Sequence, residues 1–268
     1  MELYLHGIGL CAGGLPNWAE GRDVLAGASP YREAEIVMAA SPLLPPAERR
    51  RTTDTVKLAM TVAAEAIAHA DLRAEDTMAV FTSSGGDGKT ITAILESLAS
   101  SEREVSPTRF HNSVHNAPAG YWSIATRCQE ASTSICAHDF SFAAGLIEAA
   151  TRAHAEQRAA LLVAYDLPYP PALAACRAIA APFGAALVIS PDRSDTALAA
   201  LSIGLRRSAA ADTALGDSAL ESLRTGVPAA RALPLLSAVA KGEAGEIVIP
   251  YVAGNGVTVR VTPVKHDR

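Results

Sequence analysis

This sequence predicts a layered α/β fold built around a buried central sheet, and three observations carry that reading. Its 268 residues are 49% apolar, ample for a continuous core, whereas aromatics make up only 5% and charged residues 19%. Alanine is frequent, and small side chains let packed layers approach closely. Short apolar runs of strand type alternate with stretches of helical period, the pattern of helices laid on a sheet. The length accommodates one large domain or two small ones.

Leu3 to Leu10 alternates like a strand and enters a Gly13-Gly14 turn, and the short helix that follows has Asn17 as its cap and Gly27 at its end. Pro42, Pro45 and Pro46 form a linker. The first long helix begins at Thr53-Asp54, carries Val56, Ala59, Met60, Ala63, Ala64, Ile67 and Ala68 at helical spacing, and stops by Asp71-Leu72. Ala79 to Thr82 reads as a compact buried strand, and Ser83 to Lys89 as a turn into a helix bearing Ile94, Leu95 and Leu98. Pro118 opens another helix, with Tyr121, Trp122, Ile124 and Ala125. The β-rich run Ser132 to Cys136 leads into a small-residue helix reaching His154, whose outer face is exposed. Ala160 to Tyr165 and Phe183 to Ile189 are strongly apolar strands, the second closed by Ser190-Pro191-Asp192. A strand from Thr196 to Leu205 comes next, then helical and loop material from Gly216 to Ala240. A hairpin of Glu246 to Tyr251 with Val257 to Val261 turns around Gly254-Asn255-Gly256.

A net charge of −5 excludes a dedicated nucleic-acid binder, and Arg49-Arg50-Arg51 is too short a basic run to change that. The N-terminus lacks the basic start and long apolar stretch of a signal peptide, and no apolar run is long enough to span a bilayer, so a soluble cytoplasmic protein is expected. Cys11, Cys128, Cys136 and Cys176 are widely spaced, without a C-x-x-C pair or a histidine cluster, which fits a reducing compartment and neither zinc nor disulfides.

Gly85-Gly86-Asp87-Gly88-Lys89-Thr90 has the look of a phosphate loop, since glycine-rich turns before helices offer N–H groups to anions. Its spacing departs from G-x-x-x-x-G-K-[ST], with Ser83 and Ser84 where glycine would stand, so it reads as a structural strand-to-helix turn. His111 and His115 have metal-ligand spacing only if helical; Pro118 argues for loop or extended backbone and no third ligand is evident, so neither metal nor cofactor is expected. The strand-to-helix turn at Cys136 carries more chemistry. A thiol at a buried helix N-terminus is stabilised as thiolate by the helix dipole and free N–H groups, the basis of thioester chemistry.

Leu5-His6-Gly7-Ile8-Gly9-Leu10, Thr133-Ser134-Ile135-Cys136-Ala137 with its helix through Gly145, and Phe183-Gly184-Ala185-Ala186-Leu187-Val188 fall in the order seen in β-ketoacyl synthases. Over the first 190 residues the chain thus resembles that thiolase-fold family. His115-Asn116-Ala117-Pro118-Ala119-Gly120-Tyr121-Trp122-Ser123-Ile124-Ala125, joined to Asp139-Phe140-Ser141-Phe142-Ala143-Ala144-Gly145, is more specifically similar to the short ketosynthase-like proteins of aryl polyene pigment pathways. Those resemble chain length factors, ketosynthase homologues that pair with an active ketosynthase.

The resemblance implies a thiolase-like αβα fold, with residues 1–190 as the ketosynthase-like N-terminal half and 191–268 as an abbreviated C-terminal part completing the same domain. Two departures from an active ketosynthase set the functional expectation. Counting back from Gly145 puts the family's working cysteine at Ala137, one residue past Cys136, and one residue of helix is a rotation of about 100°. Beyond Gly145 the only histidines are His154 and His266, neither in a segment like the family's two catalytic histidine loops. Cys136, like Cys11, Cys128 and Cys176, is then expected to be an apolar packing residue, and Asp139 to serve the helix start electrostatically.

The expected function is a chain length factor without catalytic residues of its own. By resemblance, the strand Ala131 to Ile135 aligns beside its counterpart in a catalytic ketosynthase, acyl carrier protein is met through that heterodimer, and Trp122, Ser134, Ala137, Phe140 and Phe142 line the tunnel or the interface. The alternative is an active small ketosynthase or acyltransferase that acylates Cys136 beside His138.

Overall fold

The computed structural model describes residues 1–207 and 211–264. Its strands are β1 (Glu2–Ala12), β2 (Met78–Thr82), β3 (Ser132–Ile135), β4 (Ala160–Asp166), β5 (Phe183–Ser190), β6 (Ala199–Arg206), β7 (Gly245–Pro250) and β8 (Gly256–Pro263). The helices are α1 (Trp18–Leu25), α2 (Pro46–Arg49), α3 (Asp54–His69), α4 (Gly88–Ala99), α5 (Pro107–Asn112), α6 (Ala117–Thr126), α7 (Ser141–Glu156), α8 (Pro171–Ala174), α9 (Ser218–Gly226) and α10 (Leu233–Lys241). All eight strands form one sheet in the order β3-β2-β4-β5-β1-β6-β8-β7. β2 runs parallel to β3 and β4, and the remaining neighbours pair antiparallel. One apolar cluster joins a face of the sheet to α1, α7 and α10, and the other joins the opposite face to α3 and α6. The sheet therefore lies between helical layers, and β4 and β5 are buried along their whole length, as their unbroken apolar runs require.

The glycines of β1 are there for α3. A Cβ on Gly9 would stand 2.0 Å from the Val62 carbonyl oxygen, and one on Gly7 would stand 2.1 Å from that of Ala66. A bulge between Leu5 and Gly7 resets the alternation, so Leu5 and Ile8 enter the same cluster. α3 also answers the strand's polar groups. The Glu65 carboxylate accepts from the N–H of Leu10 at 2.8 Å and of Trp18 at 2.6 Å, and His69 Nδ1 accepts from the N–H of Ile8 at 3.1 Å. Burial raises the Glu65 pKa, with those hydrogen bonds pulling the other way.

The caps Asn17 and Thr53 stand where the sequence predicts them. Three short helices do not follow from the pattern: α2, α5 and α8 each begin at a proline and are too short to show a period. α5 in particular replaces the loop expected around His111. His266 lies outside the described residues. Among those described, no helix is long and apolar enough to cross a membrane.

Candidate functional site

The parallel strands β2, β3 and β4 end together at Thr82, Ile135 and Asp166, which gathers the 83–88 turn, Cys136 and the segment after β4 at one end of the sheet. Asp166 is the hub. Its Oδ1 accepts from Ser83 Oγ at 3.1 Å, the Ser84 N–H at 2.8 Å and Ser84 Oγ at 2.7 Å, and its Oδ2 accepts from the Ala229 N–H at 2.9 Å. Burial raises the Asp166 pKa and the Ser84, Ala229 and Ser83 donors oppose that rise. One carboxylate thus ties the glycine-rich turn to the single-turn helix Pro228–Ala232 of the C-terminal part. Beside it Thr82 Oγ1 donates to the Ser141 carbonyl at 2.8 Å, and Gly145 lets α7 rest on Thr82, whose Cγ2 lies 2.7 Å from where a Cβ would be.

The glycine-rich turn is structural on the face it shows to Tyr169. A Cβ on Gly85 would collide with the Tyr169 hydroxyl, and one on Gly88 would stand 2.4 Å from its ring, so the ring occupies the space a phosphate would take in a nucleotide loop. Asp87 caps α4 by accepting from the Thr90 N–H at 2.9 Å. His115 Nε2 bonds the Ser83 carbonyl at 3.2 Å, and His111 packs edge-on against Tyr121.

Cys136 departs from expectation in two ways. Its residue is exposed rather than buried, with Sγ donating to the Ser84 carbonyl at 3.0 Å, so it is not an apolar packing residue. Nor does it start a helix, because the single-turn helix His138–Phe140 stands before α7 and His138 has a left-handed φ of 54°. The rotation argument therefore does not apply: Cys136 and Ala137 both belong to the link, and the Ala137 N–H donates to Ser141 Oγ at 3.1 Å. Cys176 is exposed too, which corrects its reading as a packing residue, whereas Cys11 and Cys128 are buried. Burial, reinforced by the Glu65 charge, pushes the Cys11 thiol up to about 11 and leaves it inert.

His138 faces outward and contacts Arg177, which binds Asp139 Oδ1 at 2.7 Å. Asp139 is thus an ion-pair partner, and α7 starts without a side-chain cap. Trp122 is 2% exposed and Phe142 1%, each inside a core cluster, while Phe140 packs edge-on against Tyr251. Ser134 keeps a buried Oγ without a partner among the described residues. Asp166 carried a signal in the sequence, an acid closing an otherwise apolar strand; Arg177 and Tyr169 carried none.

β3 is the sheet's edge. Its Ala131 and Ile135 carbonyls accept from β2 and from Ser83, so by strand alternation the N–H and C=O groups of Ser132 and Ser134 point away from the sheet. The site has one thiol and two imidazoles, but His115 is engaged by the Ser83 carbonyl and Arg177 engages His138 from outside, and beyond Gly145 the only imidazole among the described residues is His154, on the exposed side of α7.

The fold is similar to a chain of the solved complex of a ketosynthase (ApeO) with its chain length factor (ApeC) from Xenorhabdus doucetiae, with a TM-score of 0.73 and 23% identity over 98% of this chain and 99% of that one. A chain of the ishigamide ketosynthase/chain length factor gives 0.75 and 14%, covering 99% and 100%. A β-ketoacyl synthase from Burkholderia phymatum STM815 gives 0.69 and 14%, covering 98% and 100%. Comparison with curated proteins gives no match. The model of the β-ketoacyl synthase N-terminal domain matches residues 18–241, most of the sequence, and this chain belongs to the β-ketoacyl synthase family.

Proposed function

We propose that this chain is a chain length factor: a subunit without catalytic residues of its own that pairs with a catalytic β-ketoacyl-ACP synthase in polyene or fatty-acid-type elongation in the cytoplasm and helps shape its acyl tunnel. The observation that carries this reading is the free edge of β3 beside an apolar surface. Phe110 is 68% exposed and Ile124 49%, and with Val114 they border a groove of about 440 Å³. Leu95 and Leu98 on α4 continue the exposed apolar surface, and α6 joins it to β3. An unpaired edge next to exposed apolar side chains is the surface a partner covers. The similar solved complexes, in which a ketosynthase is joined to its chain length factor, support the identity of that partner. On this reading residues 1–190 are the ketosynthase-like N-terminal half and 191–268 an abbreviated C-terminal part completing the same domain, and Trp122, Ser134, Ala137, Phe140 and Phe142 belong to the tunnel or the interface.

The test is co-purification with a catalytic β-ketoacyl-ACP synthase, with Ser134→Pro as the probe. Proline there removes one outward N–H and leaves the β2 ladder whole, so the isolated chain should keep its fold while complex affinity falls about tenfold or more. Undiminished pairing would sink the edge-strand geometry. The exposure of Cys136 favours one alternative, an acylated thiol. Incubation with malonyl- and acyl-carrier thioesters followed by intact mass, and polyene extension by the complex carrying Cys136→Ala, decide it: a stable adduct on Cys136, or lost turnover with the complex intact, makes the chain an enzyme.

A further inference from the structure

α6 carries a glycine that no contact inside the chain explains. Glycine in a helix interior loses more freedom on folding than alanine does, so it belongs where a Cβ has no room. The other glycines of the helices fit that rule. A Cβ on Gly21 would stand 2.6 Å from Leu10 Cδ2 and one on Gly226 2.7 Å from the Ala180 Cβ, while Gly88 and Gly145 lie as close to Tyr169 and Thr82. Gly120 is exposed, and a Cβ there would meet nothing within 4 Å among the described residues. The room it leaves serves no contact of the folded chain.

That room opens into the groove of about 440 Å³ between α5 and α6, where Ala117, Gly120 and Ile124 recur at helical spacing and Phe110 and Val114 line the α5 side. No carboxylate, lysine or arginine lines it. Of its polar side chains, Tyr121 donates to Asn112 Oδ1 at 3.0 Å, His111 packs edge-on against the Tyr121 ring, and Asn116 stands at the start of α6. The walls suit an apolar occupant.

Pairing through the β3 edge needs more surface than β3 supplies. Its outward backbone groups belong to Ser132 and Ser134, whereas stable interfaces carry about ten hydrogen bonds and cover about 800 Å² on each partner. α6 packs beside β3, so a footprint of that size crosses the groove. Interface cores are packed as densely as protein interiors, and a void of this volume left beneath a partner would forfeit contacts for every side chain around it.

Resting on the pairing reading, we propose that the groove is a socket for one large apolar side chain of the phenylalanine or leucine class, presented by the catalytic ketosynthase, and that Gly120 keeps the socket open. Glycine at this position weakens the isolated helix and gives the pair a buried anchor.

Titration of the full chain against a catalytic β-ketoacyl-ACP synthase, with wild type, Gly120→Ala and Gly120→Leu, tests the socket. Gly120→Ala should weaken the complex about threefold and Gly120→Leu, which fills the space, about tenfold or more. The melting temperature of each isolated variant should equal or exceed that of wild type, since the new side chain displaces no neighbour. An alanine scan of the large apolar residues on the ketosynthase face should find one whose truncation restores pairing to Gly120→Leu and weakens pairing to wild type. A wild type that forms no complex sinks the pairing reading and the socket with it. A wild type that pairs while Gly120→Leu pairs equally well, or a scan without any rescuing residue, overturns the socket alone. Equal pairing with shortened polyene products also overturns it, and gives the groove to the growing acyl chain.

Discussion

Asp166 accepts four hydrogen bonds from residues distant in the chain, yet burial holds its pKa above the usual carboxylate value. A group whose folded pKa is raised contributes stability that is complete below the unfolded pKa and is lost as pH climbs through the folded one. Other carboxylates shift as well, Glu65 upward and Asp54 and Glu221 downward, so the informative quantity is a difference. Urea midpoints of wild type minus those of Asp166→Asn should decline from about pH 4, the ordinary carboxylate value, through the raised pKa and then level off. A difference that climbs with pH instead would mean the four donors outweigh burial. At any pH Asp166→Ala should cost more than Asp166→Asn, because it orphans every one of those donors.

At the level of elements, packing is decided by where two backbones touch. Gly9→Ala drives a methyl into the Val62 carbonyl of α3, which cannot swing aside as a side chain end would, so chemical denaturation should show a loss of about 3 kcal/mol or more. Gly120 in α6 is exposed with nothing near its missing Cβ, and Gly120→Ala should add roughly 0.5–1 kcal/mol to the isolated chain. The same contrast explains what could be read without coordinates. β1, α3, β4, β5 and the β7–β8 hairpin follow from period, caps and turn residues, all local properties. The environment of Cys136 does not, because the single turn at His138 depends on a left-handed backbone and on Arg177 from a distant loop, and a short proline-led helix such as α5 has no period to read. The edge position of β3 was legible only through the family resemblance, since a four-residue strand of serine, threonine and isoleucine fits a buried place equally well.

For the molecule as a whole, the surface around β3 is the part left without a counterpart. The opposite margin of the sheet, β7, ends in charged and polar residues at Glu246, which Arg206 and Arg260 engage, so that edge is protected in the way solvent-facing edges usually are. The margin at β3 is less guarded: Ser132, Thr133 and Ser134 carry no charge, Arg152 of α7 reaches the strand only at the Thr133 side chain, Glu130 pairs with Arg158 just before the strand, and Phe110, Val114 and Ile124 lie on the neighbouring helices and their link. Such a face promotes self-association when uncovered. Phe110→Ser combined with Ile124→Ser should therefore make the isolated chain more soluble and more monomeric in size-exclusion chromatography, while abolishing capture by the catalytic ketosynthase of the proposed pair. Because both side chains are exposed, their loss removes little core packing and the melting temperature should hold. A double variant that still forms the complex at wild-type affinity would leave the β3 edge to account for pairing by itself, and one that gains no solubility would show that the apolar face is not what the free chain exposes to itself.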